Sequence, residues 1–326
     1  MTARTNAPRV TGHLTTLEAI ELIEAADGPA DLFGSDAARC YRRLARLTHP
    51  DARPGDARAA AAFARLADLW GRHSQAIGPL VASGDVANLY QTGAGLLKLA
   101  RNPADNDLMD REAAALRALA SRVPARLAAY FPRLIDAKRV QDPLTGTERR
   151  GNLLGSLDGF VSLARVRRLL PGGVDPRDAA WMWRRLLVAL GAAHRAGVSH
   201  GAVLPEHVLI HPAEHGLVLA DWCYSGRCCQ DMPLPAVVAR YRHWYPPDVL
   251  SRQPAGPGED IWLATRCMTD LTGARLPAPL AAFARGCQLA NPGRRPPDAW
   301  QLLAELDDLL ERLYGPRTFR PFVIPA

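Results

Sequence analysis

The chain has 326 residues, 48% hydrophobic, 22% charged and 6% aromatic, with a formal net charge of +7. That length allows two domains with a substantial core, and the composition is that of a globular chain, which excludes a largely disordered one. Arginines interleave with acids along the whole length, so a solvated basic surface is favoured over a nucleic-acid footprint.

The first ten residues lack the apolar centre of a signal peptide, and no apolar run reaches the length of a membrane span. A cytoplasmic chain without a membrane partner is therefore expected, and its six cysteines, at 40, 223, 228, 229, 267 and 287, should be reduced. Cys223, Cys228 and Cys229 stand near His207, His211 and His215 in sequence, but the spacing fits no standard zinc pattern.

Ala and Leu supply much of the apolar content and lean helical. A helix is predicted over 17–26, broken by Asp27-Gly28-Pro29, and a second over about 36–48. In the second, Cys40, Tyr41, Leu44 and Leu47 share one face while Arg39, Arg42, Arg43 and Arg46 share the other. His49-Pro50-Asp51 ends it. A third helix over 57–73 should bury Phe63, Leu66, Ala67 and Trp70.

From 77 the texture changes to short extended runs, at 80–82, 87–90, 96–100, 134–139 and 151–156, with a helix over 107–120. Past 176 helices dominate, over 176–196, 260–271, 279–289 and 297–314. A helical start, a strand-rich segment and a helix-rich one make an α+β arrangement with two lobes in its larger part.

The ordered combination Tyr41-Arg42-Arg43-Leu44, His49-Pro50-Asp51, Pro54-Gly55 and a helix carrying Phe63 and Leu66 resembles the J domain of DnaJ-type co-chaperones. The resemblance implies that the turn and Arg42, Arg43 and Arg46 engage a DnaK-type chaperone. A rigid turn beside an arginine face would suit an acidic partner, chiefly by raising the association rate. The plain alternative is a helical hairpin whose Asp51 caps the next helix.

Seven landmarks follow in one order. Residues 82–90 have the layout of a glycine-rich loop in which Gly84 remains and alanine stands at 82 and 87. Lys98 interrupts an apolar strand, and Glu112 faces inward on its helix with Met109 and Leu116. The run from Ser199 to Ile210 and the run Leu217–Cys223 containing Asp221-Trp222 come next, then Tyr245-Pro246-Pro247-Asp248, Gly258-Glu259-Asp260, and Asn291 to Pro296. These resemble the glycine loop, Lys–Glu pair, catalytic loop, metal-site Asp-Phe-Gly, Ala-Pro-Glu, start of the large central helix and late Arg motif of protein kinases.

The resemblance implies bracing roles for His200, Asp248, Asp260 and Arg295, and nucleotide contacts for Gly84, Lys98, Glu112 and Asp221. It also places Ala202 where the catalytic carboxylate belongs, Leu204 at the phosphate-binding lysine and His207 at a magnesium-binding asparagine. Asp221 and His207 are the candidate metal ligands, and ATP with or without magnesium is the candidate cofactor.

The organisation expected is 1–76 J-domain-like, 77–318 kinase-like with lobes meeting near 158/159, and a tail at 319–326. Segment 17–26 and the tail could mediate assembly or pack on their own domains. The function expected is a catalytically impaired adaptor joining a chaperone to a client or regulatory protein. The alternatives are an atypical ATP-dependent kinase or transferase and a basic nucleic-acid-binding protein.

Overall fold

The computed structural model describes residues 14–33, 37–75, 78–141, 147–228 and 232–325. Cys229, the expected helix start at 36 and the expected start of the kinase-like region at 77 lie outside them. The chain divides into two compact units, Met1–Leu99 and Ala100–Ala326.

In the first unit, α1 (Thr16–Ala25), α2 (Pro29–Leu32), α3 (Ala37–Thr48) and α4 (Ala57–Gln75) precede β1 (Leu80–Ser83), β2 (Ala87–Thr92) and β3 (Gly95–Ala100). A capping box opens α1. Glu18 N–H donates to Thr15 Oγ1, and Thr15 N–H donates back to Glu18 Oε2 at 2.7 Å. Arg65 of α4 donates to the terminal carbonyls of Ile23 and Ala26, satisfying acceptors that the last turn of α1 leaves open. Segment 16–25 therefore packs on its own unit, with Ile20 and Ile23 in the same core as Leu44, Leu66 and Leu69.

The buried stripe of α4 is Ala59, Ala62, Leu66 and Leu69, and Ala67 is exposed. The expected face was rotated because its large residues, Phe63 and Trp70, flank the seam instead of filling it. Trp70 stacks on Tyr41 at 4.7 Å and meets Phe33 edge-on at 5.3 Å.

The strands β1 and β2 pair antiparallel, with β3 beside β2. The β2–β3 turn lies against α4: a Cβ on Gly93 would come within 1.9 Å of the His73 ring. This contact lies within the compact unit that runs to Leu99.

The second unit begins with α5 (Asn106–Arg122) and the antiparallel hairpin of β4 (Leu134–Gln141) and β5 (Glu148–Leu154). After β6 (Val161–Ser162) and α6 (Leu163–Leu169) comes α7 (Pro176–Arg195), which buries Trp181, Trp183, Leu186 and Leu190 and packs on later helices. Next are β7 (Val198–Ser199), β8 (Val208–His211), β9 (Gly216–Leu219) and β10 (Gly226–Arg227). The order β6-β8-β9 makes a small antiparallel sheet, and β7 pairs with β10.

The chain ends in α8 (Pro247–Leu250), α9 (Pro257–Thr272), α10 (Ala278–Cys287) and α11 (Ala299–Tyr314). The start expected for α9, at 260, is late because Pro257 serves as its first-turn residue and Glu259 caps Gly256 N–H at 2.6 Å. The end expected for α10 overshoots, since Leu289 lies beyond the last turn and is exposed. The tail packs on its own unit: Phe319 lies over His215 at 4.5 Å and Phe322 meets Trp181.

Gly93→Ala forces a methyl into the His73 ring and should destabilise the first unit by about 2 kcal/mol. Hydrogen exchange at the α4 amides of the full chain under denaturant checks it, with unchanged protection contradicting the packing.

Candidate functional site

Two hairpin-like returns of the second unit bring the loop at 200–207 against the residues that follow β9. Ala220 N–H donates to His207 O at 2.8 Å, continuing the β8–β9 ladder past its end. The loop hangs from one carboxylate. Asp260 Oδ2 accepts from His200 N–H at 2.7 Å and Oδ1 from Gly201 N–H at 2.8 Å, while His194 Nε2 lies 2.9 Å from Oδ2. Burial alone would raise the Asp260 carboxyl, but bonds and charge from His194 and His200 outweigh it and hold it below the usual carboxylate value.

His200 uses both ring nitrogens. Nε2–H donates to Ala220 O at 2.9 Å and Nδ1 accepts from Ala202 N–H at 3.2 Å, which requires the neutral tautomer. Complete burial pushes its imidazole down to about 4. Its ring meets Trp222 edge-on at 4.5 Å.

Gly201 has φ +77°, and a Cβ there would sit 2.4 Å from Tyr224 O and 2.9 Å from Leu234 Cδ2. No side chain fits. Ala202 and Leu204 are both fully buried. The methyl side chain of Ala202 has nothing to donate or accept, and Leu204 is a core residue. His207 Nδ1 lies 2.8 Å from Ala202 O, so it carries the donated proton. Its Nε2 lies 3.4 Å from Asp221 Oδ2, an oxygen that can only accept.

Asp221 adopts a left-handed conformation, φ 63° and ψ 67°, unusual for a non-glycine residue. Trp222, fully buried, donates its backbone N–H to Glu112 Oε1 at 3.2 Å and its indole N–H to Leu219 O at 2.8 Å. The other Glu112 oxygen accepts from Asn152 Nδ2 at 2.8 Å. Asn152, on β5, also donates to Met109 O at 3.0 Å, so it ties the hairpin to α5. Nothing in the sequence pattern singled it out.

Among the described residues, the ligand atoms of Glu112, Asp221 and Cys223 gather within 4.8 Å. Glu112 already spends one oxygen on Asn152 and the other on Trp222. That leaves one carboxylate, a thiol and the imidazole of His207, a donor set that suits softer ions and fits magnesium poorly. Cys267 and Cys287 are buried free thiols.

Downstream, Arg295 is fully buried at its side chain and makes a bidentate pair with Asp248, Nη1 to Oδ2 at 2.9 Å and Nη2 to Oδ1 at 2.5 Å. Nη1 also donates to Glu259 Oε1 at 2.8 Å, and the guanidinium lies over Trp262 at 4.9 Å. Burial raises the Glu259 carboxyl. Glu206 accepts from Tyr241 Oη at 2.9 Å and pairs with Arg240 at 3.2 Å, and burial followed by that bond pushes the Tyr241 phenol up.

In the first unit, Gly84 lies in the exposed β1–β2 turn and Lys98 is buried in β3 at 3% exposure. His49 and Asp51 are exposed, with Asp51 N–H donating to His49 Nδ1 at 3.2 Å and the His49 ring edge-on to Phe63 at 5.0 Å. Arg42 and Arg46 line the groove that runs past them, whereas Arg43 is half-buried and does not.

No family model matches the chain. Over 163 residues it is 25% identical to the serine/threonine-protein kinase PAK mbt of Drosophila melanogaster, which covers 49% of this chain and 24% of that protein. The aligned stretch is thus about a quarter of the relative's length. The chain has a protein-kinase-like region, in an α+β architecture of N-terminal helices and a sheet-containing body. Among the described residues, no helix is long and apolar enough to cross a membrane.

Gly201→Ala must move a backbone carbonyl and adopt a strained φ, and should cost about 3 kcal/mol of unfolding free energy, measured by denaturation. His200 gives a pH signature. Its folded value, about 4, lies below the ordinary 6.5, so between these the unfolded chain binds more protons. Its stability contribution is complete above pH 6.5 and is lost as pH falls towards 4, by about 3 kcal/mol in all. His200→Gln should flatten that part of the stability–pH curve.

Proposed function

We propose that the kinase-like region is a scaffold that has lost loop-based phosphoryl transfer and serves as a docking platform. The observation that carries this reading is the interior of the loop: Ala202 and Leu204 are fully buried and Gly201 admits no side chain. In the catalytic loop of a kinase a carboxylate orients the acceptor hydroxyl and takes its proton, which is worth about 10² to 10⁴ in rate. Here neither position can be reached by a substrate. The donor set around Asp221 fits magnesium poorly, so no step is assigned to a metal.

We propose further that the first unit's His-Pro-Asp turn docks a DnaK-type chaperone. This rests on the residue pattern and on one groove of about 540 Å³, lined by Tyr41, Arg42, Arg46, His49 and Asp51. A rigid exposed turn beside two cationic side chains suits an acidic partner. The client of such an adaptor would bind the kinase-like region.

Incubation with γ-labelled ATP and generic acceptors should give no more transfer with the wild type than with Asp221→Ala. Robust turnover that the variant abolishes would support an atypical transferase instead. The chain should stimulate the ATPase of a DnaK-type chaperone at low salt, and His49→Gln should remove the stimulation. Equal stimulation by both proteins would sink the docking proposal.

A further inference from the structure

Away from the loop, the second unit holds a cavity of about 600 Å³ between α5, the β7–β10 pair and residues 232–235. Its charge is one-sided. Arg111 and Arg122 of α5, Arg227 of β10 and Arg252 line it, against one carboxylate, Asp107.

Three of these guanidiniums are anchored without being neutralised. Arg111 Nη1 donates to Ser225 O at 3.3 Å, Arg122 Nη1 to Ala196 O at 3.0 Å and Arg252 Nη1 to Leu234 O at 3.0 Å. Each bond uses one of several N–H donors and leaves the rest available, with the full positive charge in place. Among the described residues, none of the four is paired with a carboxylate.

A second observation points the same way. Ser199 lines the cavity at 2% exposure, and its hydroxyl has no hydrogen-bond partner. Its neighbour across the β7–β10 register is Gly226, where a Cβ would come within 3.1 Å of Ser199 Oγ. Glycine there keeps a methyl off the hydroxyl. A buried hydroxyl without a partner is short of a hydrogen bond, which a ligand oxygen would supply. The rest of the wall is low and apolar, formed by Ala114 and Ala118 of α5 and by Leu234.

We propose that this cavity binds a small phosphorylated organic molecule, its phosphate on the arginines and its organic body along the alanine wall. Arginine forks match phosphate oxygens and favour a dianion over a monoanionic carboxylate. The volume falls among small-molecule pockets, which makes a bare inorganic ion the poorer occupant. The lining includes none of residues 200–207, though it adjoins them at Ser199 and Leu234, and the site needs neither a nucleoside base nor a metal.

Calorimetric titration of the full chain with glycerol 3-phosphate, at constant ionic strength and beside inorganic phosphate and glycerol, tests this. Saturable binding of the ester, tighter than that of inorganic phosphate and absent for glycerol, is the expected result. Arg111→Gln/Arg227→Gln, a surface change that should leave the melting profile intact, should weaken it about tenfold or more. Ser199→Ala should weaken it less, and Asp221→Ala should leave it unchanged. The proposal is overturned by absence of saturable binding, by inorganic phosphate binding as tightly as the ester, by an unaffected double variant that is folded, or by loss of binding in Asp221→Ala.

Discussion

One carboxylate, that of Asp260, holds the loop on which the second unit's chemistry would be built. It is wholly buried and takes two consecutive backbone N–H groups, from His200 and Gly201, and the ring of His194. A buried charge persists only when it is fully hydrogen-bonded, and three donors meet that need. Fixing two adjacent amides fixes the chain direction between them. Gly201 is thereby committed to its left-handed turn, and His200 to the ring position from which it reaches Ala220 and Ala202.

The frame and the reacting positions have parted company. Arg295 still joins Asp248 to Glu259, and Glu112 still holds the backbone of Trp222. These contacts need shape and charge, and they brace the unit whether or not anything is turned over. On the proposed reading the positions that would meet a substrate have turned inward: Leu204 fills core, Ala202 is sealed, and His207 Nδ1 is engaged by the loop's own carbonyl. On the proposed reading, the unit keeps its fold because the braces do not depend on the reacting groups.

Much of this was legible in the residues. The inward face of Glu112 follows from its helical spacing to Met109 and Leu116, and all three are buried. The partnership of Arg295 with Asp248 followed from a resemblance of motifs and is seen directly as a bidentate pair. Partners on elements far apart in sequence were not legible. Asn152 lies forty residues from Glu112 and belongs to a strand whose edge was drawn two or three residues late. Glu259 stood inside a recognised motif, but its second role, against Arg295, depends on a tertiary contact. The rotation of the α4 stripe, which leaves Ala67 exposed, came from weighting residue size over the smaller alanines that make the close seam. The cavity beside α5 is closed by β7, β10 and residues 232–235, far later in the chain and beyond any local pattern.

The central claim is that the loss at Ala202 is built into the packing, so that restoring the carboxylate does not restore the chemistry. Ala202→Asp, assayed for both unfolding free energy and transfer from labelled ATP, tests this most directly. The account predicts a protein destabilised by about 3 kcal/mol or more, because a carboxyl without room or partners is buried, and no transfer above wild type. A variant as stable as the wild type that transfers phosphate would contradict it.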